Sequence, residues 1–116
     1  MASYTVSAGH RGVYGMTGAA STEDTVTFSR DLTQSVFDSG TGTRTAALVG
    51  VKVTSGGPVY FTVDNSAASV PSAGVSSTCY EVPSGERISV PPRMVGNTVV
   101  RLNFASSTVY SVSEES

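Results

Sequence analysis

Histidine, cysteine and the carboxylates are the residues that would carry chemistry in this chain. The 116 residues include one histidine, His10, and one cysteine, Cys79, which lie far apart in the sequence. A nucleophilic cysteine needs a base beside it, and a zinc site needs several nitrogen or sulfur ligands at short spacing. The sequence has neither arrangement. We therefore predict no catalytic residue, no metal ligand and no cofactor.

The nine carboxylates and the glycine-rich stretches do not form a recognisable site either. Glu81 and Glu86 flank a predicted turn, where solvated charges are more common than a glycosidase pair. No Asp-x-Asp-x-Asp calcium loop occurs. Residues 40–45, Gly-Thr-Gly-Thr-Arg-Thr, lack the Lys-Ser/Thr ending of a phosphate-binding loop. The sequence therefore predicts a protein that is not an enzyme.

The composition indicates strands and a weakly charged surface. The chain has 18 Val against 3 Leu and 1 Ile, and 33 Ser and Thr, and β-branched residues favour pleated sheets over helices. A net charge of −2 and a pI near 5.2 argue against a nucleic-acid partner, which requires a basic surface. No apolar run approaches the roughly 20 residues of a membrane span. The N-terminal residues also lack the features of a signal peptide, so we expect synthesis in a cytoplasm.

Residues 46–64 show the clearest period of two in the chain. They predict two strands, 46–54 and 59–64, joined by the tight turn Ser55-Gly-Gly-Pro58. Further strands are predicted over 24–29, 79–82, 87–90, 98–104 and 108–113. The residues expected to face the core of the central pair are Val49, Val51, Val53, Val59, Phe61 and Val63.

Short strands at intervals of about ten residues are typical of an antiparallel sandwich. We predict an all-β fold, an antiparallel β-sandwich of about seven or eight strands, Ig-like or jelly-roll-like, with an extended N-terminal arm. The domains would be a Gly-rich arm at 1–24, the sandwich at 25–113 and a solvated tail at 114–116.

The arm prediction rests on glycines at every third position from Gly9 to Gly18. Glycine at this density is costly in a helix or a central strand, so a flexible tail or an arm lying against a neighbouring molecule is expected. The long loop 65–78 is a second candidate contact element. The residues predicted to contact a partner are Tyr4, His10, Arg11, Val13, Tyr14, Met16, Val70 and Val75.

Three segments carry a family resemblance: Val49 to Asp64, Cys79 to Val90 and Val99 to Val112. Their order, in which Pro-Val-Tyr-x-x-Val-Asp precedes a Val-Pro-x-Gly turn and a closing hairpin, resembles small β-sandwich virion structural proteins of tailed bacteriophages. Head decoration and minor capsid proteins belong to this group. The resemblance covers residues 25–113.

The resemblance implies a non-enzymatic phage virion protein on the capsid surface. The expected role is a head decoration protein that stabilises the capsid by binding the major capsid protein. The expected assembly is a homo-oligomer, with a trimer plausible for decoration proteins. The alternatives are a carbohydrate-binding or adhesive β-sandwich, in which Tyr60, Tyr80 and Tyr110 would stack on sugars, and a head–tail joining or tail component.

Overall fold

The chain folds into two facing β-sheets, with no helix among the described residues. The computed structural model describes residues 1–7, 9–33, 36–38, 43–45, 47–74 and 77–115. The strands are β1 (Ser3–Val6), β2 (Gly12–Gly18), β3 (Glu23–Phe28), β4 (Val36–Asp38), β5 (Thr43–Thr45), β6 (Leu48–Ser55), β7 (Val59–Thr62), β8 (Tyr80–Val82), β9 (Arg87–Val90), β10 (Val99–Phe104) and β11 (Thr108–Glu115). The predicted all-β, mostly antiparallel two-sheet architecture is therefore confirmed.

The five-stranded sheet has the order β1-β3-β10-β7-β8, and the four-stranded sheet has the order β2-β11-β6-β9. Among the described strands, only β1 pairs in parallel, with β3. Strands β4 and β5 form a separate antiparallel pair. Four antiparallel pairs are nested in sequence: β2 with β11, β3 with β10, β6 with β9 and β7 with β8. The antiparallel pairs β6 with β11 and β7 with β10 join them within each sheet.

The core lies between the sheets and consists of the alternate residues of each strand. In β3 and β10 every second residue is buried, which follows from the period of two of a pleated strand. The inward positions predicted for residues 46–64 are confirmed, since all six side chains are at most 2% exposed. The rings of Phe104 and Tyr110 pack with centroids 5.0 Å apart, one from each sheet.

The two strands predicted within residues 46–64 do not pair with each other as a hairpin. Strand β6 belongs to the four-stranded sheet and β7 to the five-stranded sheet, so the turn at residues 56–58 carries the chain from one sheet to the other. The turns after β8 and β10 also carry the chain from one sheet to the other. A hairpin and a corner between sheets use the same alternation and turn residues, so local sequence does not distinguish them.

The N-terminal segment also differs from its prediction. Residues 1–24, expected as an extended arm, contain two strands that join opposite sheets, β1 beside β3 and β2 beside β11. Two of the glycines, Gly12 and Gly18, allow the backbone of β11 and the ring of Phe104 to lie close to β2. A Cβ at Gly12 would lie 2.2 Å from the carbonyl oxygen of Val112, and one at Gly18 would lie 2.4 Å from the ring of Phe104. Glycine is required at these positions because the neighbouring backbone and ring occupy the side-chain volume.

The tail differs as well. Glu114 and Glu115, expected in a solvated tail, belong to β11 and pair with β6.

Candidate partner-binding surface

The two ends of the sandwich differ in the length of their connections. The strand directions place the short turns 19–22, 56–58, 83–86 and 105–107 at one end. The longer connections, which follow β1, β3, β7 and β9, begin at the other end. Backbone hydrogen bonds join these connections: Ser29 N–H donates to the Val6 oxygen at 3.0 Å, and Thr98 N–H donates to the Arg30 oxygen at 3.2 Å.

The predicted contact residues of the N-terminal segment separate into two groups. His10 and Arg11 are exposed in the connection between β1 and β2, and Tyr14 is 63% exposed on β2. Tyr4, Val13 and Met16 are partly buried and pack against the core of their own chain. Only the first group is therefore fully accessible to a partner in the isolated chain.

Strand β2 contains a β-bulge beside Tyr14, which points outward because it follows the core-packed Val13 in the strand. Opposite β2, Val112 pairs with Val13 and Tyr110 with Met16, so two residues of β2 face the single residue Ser111. Gly15 adopts φ +66° at the bulge, a conformation that favours glycine. Its N–H donates to the Ser111 hydroxyl at 3.1 Å. The extra residue of the bulge allows both Val13 and Met16 to pack against the core, while the Tyr14 ring between them remains in solvent.

Tyr14 borders a shallow depression of about 390 Å³ on the outer side of the four-stranded sheet. Directly paired residues share a face, so Lys52, which pairs with Arg87, points to the same side. Both are exposed. The depression is lined by Arg11, Tyr14, Arg87, Ser113, Glu114 and Glu115. We call the surface formed by Arg11, Tyr14, Lys52, Arg87 and Ser113 the basic face.

The Glu115 side chain holds Arg87 of the basic face in position. Its carboxylate forms an ion pair with Arg87 and accepts a hydrogen bond from the Ser89 hydroxyl at 2.7 Å. The Glu115 side chain lies over Gly50, where a Cβ would be 2.8 Å from the Glu115 Cδ. Strands β11, β6 and β9 are thereby linked across their outer side. The neighbouring Glu114 forms an ion pair with Arg30.

The described residues 63–74 and 77–79 of the connection between β7 and β8, which we call the strap, lie on the outer side of the five-stranded sheet near Ala68. The strap is held by polar contacts near Ala68. Glu23 accepts a hydrogen bond from Ala68 N–H at 2.9 Å and is paired with Arg101 at 2.7 Å. The Asn103 amide donates to the Ala68 oxygen at 3.1 Å. These contacts turn the strap back over the sheet.

The ionised form of Glu23 is favoured at this anchor. Burial opposes ionisation and is the largest single influence. The hydrogen bonds from Arg101 and Ala68 N–H, together with the charge of Arg101, outweigh it, and the pKa of Glu23 lies below its ordinary value of 4.5.

On the strap, Val70 is 36% exposed. A depression of about 290 Å³ lies between the two limbs of the strap, and Val70 lines it together with Pro71 and Cys79. Val75, the other predicted contact residue of this loop, lies outside the described residues. The two exposed contact residues Tyr14 and Val70 thus lie on opposite outer sides of the sandwich.

The three tyrosines considered for sugar stacking do not form one platform. Tyr110 is fully buried, and its hydroxyl donates to Asp24 at 2.8 Å between the sheets. Tyr80 packs against Phe61 with ring centroids 5.3 Å apart. Tyr60 donates its hydroxyl to Glu81 at 2.8 Å on the exposed side. A ring stacks on a sugar only where its face is exposed, so the buried Tyr110 is unavailable and the three tyrosines do not form a common platform.

Groups that bind metals are not clustered in the described part of the chain. No set of three His, Cys, Asp or Glu side chains there is placed to hold an ion. Cys79 is a free thiol, partly buried where the strap meets β8. No helix among the described residues is long and apolar enough to span a membrane.

Sequence reasoning missed Lys52, Arg87 and Ser113 as members of a common surface. The signal available was the alternation itself, because Lys52 lies between the inward residues Val51 and Val53 and must point outward. The pairing that brings Arg87 and Ser113 beside it joins distant parts of the chain. That pairing is not encoded in any local pattern.

Comparisons with known proteins returned no match: no family model, no curated protein and no solved structure is similar to the chain.

Proposed function

We propose that the protein is a non-enzymatic phage virion structural protein, a head decoration protein that binds the major capsid protein. The observation that carries this proposal is the nested order of strand pairing. The first and last strands of the eight main strands pair, the second pairs with the next to last, and so on inward to β7 and β8.

Nested pairing favours a jelly roll over an Ig-like sandwich. A jelly roll is one long antiparallel hairpin rolled so that its strand pairs alternate between two sheets. Here β2·β11 and β6·β9 lie in one sheet, and β3·β10 and β7·β8 lie in the other. Jelly rolls occur in viral capsid and lectin domains. A fold alone does not establish a function, so a decoration protein must also have an exposed surface that can bind the capsid.

Two exposed side chains, Tyr14 and Arg11, are accessible to a partner. Tyr14 is 63% exposed, and Arg11 makes no side-chain ion pair with another described residue. Aromatic and arginine side chains are enriched at the centres of protein interfaces. Within the predicted arm, the connection between β1 and β2 carries the exposed residues His10 and Arg11, and we assign partner contact to these two.

A carbohydrate-binding or adhesive module is the second candidate, because jelly rolls also serve as lectins. The feature that favours it is the exposed ring of Tyr14 beside the hydroxyl of Ser113 and the guanidinium of Arg87. A glycan array with wild type and Tyr14→Ala tests this candidate. Glycan binding that is lost in the variant would favour it over capsid decoration.

The direct test of the proposal is binding to capsids that lack the protein. Purified protein is mixed with empty capsids of the phage that encodes it, and bound protein is measured by co-sedimentation. We expect saturable binding with a fixed number of copies per capsid, which also reports whether the protein binds as a trimer. Absence of binding to capsids, or binding to isolated tails only, would contradict decoration of the head.

A further inference from the structure

The charges of the chain are distributed unevenly around the sandwich. The basic face and its immediate ion pairs contain four basic residues, Arg11, Arg30, Lys52 and Arg87, and two acidic residues, Glu114 and Glu115. The remaining residues contain three basic and seven acidic side chains. A protein with an overall charge of −2 therefore carries a local excess of positive charge at one surface.

Two of these cations are not neutralised within the molecule. Glu114 and Glu115 are paired with Arg30 and Arg87. Arg11 and Lys52, both exposed, form no ion pair with any other side chain that the structure describes. An exposed cation beside a negatively charged protein surface steers an oppositely charged partner to that site.

The shape of this surface suits an extended polypeptide. On β11 the outward residues beside Lys52 are Ser111 and Ser113, which are small, whereas the Glu115 side chain covers Gly50 and bonds to Ser89. The low part of the surface therefore runs along β11 between Tyr14 and Lys52. The Tyr14 ring rises at one edge. Small side chains let a partner backbone approach the sheet closely, and an aromatic ring at the rim adds apolar contact area.

We propose that the basic face binds an acidic polypeptide segment of the partner protein, with carboxylates at Arg11 and Lys52 and an apolar side chain against Tyr14. This inference rests on the proposed function for the identity of the partner, the capsid protein. Nucleic acid fits less well, because a run of phosphates requires more cations than the two that are unpaired here, Arg11 and Lys52.

The first experiment uses a synthetic oligoglutamate peptide as the probe, with oligolysine as the reference peptide. Backbone amide chemical shifts of the ¹⁵N-labelled protein are recorded during titration. We expect shifts at Arg11, Tyr14 and Lys52 with oligoglutamate, reduced by added salt, and none with oligolysine. Shifts on the strap in place of these residues would overturn the proposal. A stronger response to an oligonucleotide than to oligoglutamate would also overturn it.

The second experiment compares two charge reversals in capsid binding. Arg11→Glu reverses a charge on the basic face. Arg93→Glu makes the same change at an exposed position on the connection between β9 and β10. We expect Arg11→Glu to weaken capsid binding about tenfold and to flatten its salt dependence, and Arg93→Glu to leave binding within about twofold. Circular dichroism and urea unfolding of both variants confirm that they fold.

The outcomes separate this inference from the proposed function. Capsid binding that is equal in Arg11→Glu and Arg93→Glu would overturn the acidic-segment proposal and leave capsid decoration standing. Oligoglutamate binding without capsid binding would reject decoration and support an acidic partner of another kind. Concentration-dependent self-association that is abolished by Arg11→Glu would show that a second copy occupies the face, which contradicts the proposal.

Discussion

A buried hydrogen bond between the side chains of Tyr110 and Asp24 joins the two sheets. Asp24 is 3% exposed and accepts hydrogen bonds from the Tyr110 hydroxyl at 2.8 Å and from Ala2 N–H at 3.1 Å. Burial, followed by the hydrogen bond to Asp24, raises the pKa of Tyr110 well above its ordinary value. The phenol therefore stays protonated and remains a donor to the carboxylate.

Removing this donor should destabilise the fold. In Tyr110→Phe the Asp24 carboxylate loses a partner in a buried site, and we expect the free energy of unfolding to fall by about 1–3 kcal/mol. Urea denaturation measures the change. Tyr60→Phe is the matched control, because Tyr60 donates to Glu81 over the same 2.8 Å but at the surface, and its loss should cost less than about 1 kcal/mol. Equal losses in the two variants would contradict a burial-dependent role.

The contacts of Glu23 with Ala68 N–H and Arg101, which hold the strap, predict that the free energy of unfolding depends on pH. Because the folded pKa of Glu23 lies below 4.5, the unfolded chain takes up this proton first. The contribution of ionised Glu23 is complete above about pH 4.5 and is lost as the pH falls through the lowered folded pKa. The stability difference between wild type and Glu23→Gln should therefore shrink on acidification. Glu86→Gln, at an exposed turn position, is the control, and a Glu23→Gln difference that does not depend on pH would reject the anchor.

At the scale of elements, the main revision concerns β2. Glycine density led to the prediction of an arm, because glycine weakens strands in general. The sequence does not show that Val112 and Phe104, about ninety positions later, occupy the volume that side chains at Gly12 and Gly18 would need. The alternation of β6 and β7, by contrast, predicted their buried residues correctly because burial of a strand face depends only on local period.

Hydrogen exchange distinguishes a paired strand from an arm. As an edge strand, β2 hydrogen-bonds to a neighbour on one side only, so alternate amides between Gly12 and Gly18 should be protected and the others should exchange quickly. NMR-detected exchange of the isolated protein measures this pattern. Uniformly fast exchange across the segment would show that β2 is not paired with β11 in solution.

A substitution at Gly12 tests the same element by another route. The Cβ of Gly12→Ala would contact the backbone at Val112, which cannot move without disturbing β11. We expect a loss of about 1–3 kcal/mol in the free energy of unfolding, together with faster exchange in β2. Thr17→Ala, at an exposed position of the same strand, should change stability by less than about 0.5 kcal/mol. A neutral Gly12→Ala would contradict the close packing of these strands.

At the scale of the whole molecule, the sequence predicted strand positions better than strand partners. Turns such as Pro83-Ser84-Gly85 were recognised, but whether a turn closes a hairpin or changes sheets depends on partners elsewhere in the chain. The four short turns between β2 and β3, β6 and β7, β8 and β9, and β10 and β11 all change sheets. The basic face could not be predicted for the same reason, since it forms only when β2, β11, β6 and β9 lie side by side.

Because β1 and β2 belong to the two sheets, the contribution of the N-terminal segment to capsid attachment is better tested by substitution than by deletion. Deletion of residues 1–20 would remove β1 and β2 from the two sheets, so lost capsid binding in that variant would not separate a binding defect from unfolding. Point substitutions on the basic face, such as Arg11→Glu, leave both strands in place and are the better choice.

The measurement that tests the account most directly is a cryo-EM reconstruction of empty capsids incubated with the purified protein. The account predicts density for a small β-sandwich at regular positions on the capsid lattice, with the face that carries Arg11 and Tyr14 towards the capsid protein. Capsids without added density would contradict the proposed function. Density that contacts the capsid through the strap over the five-stranded sheet would contradict the assigned surface.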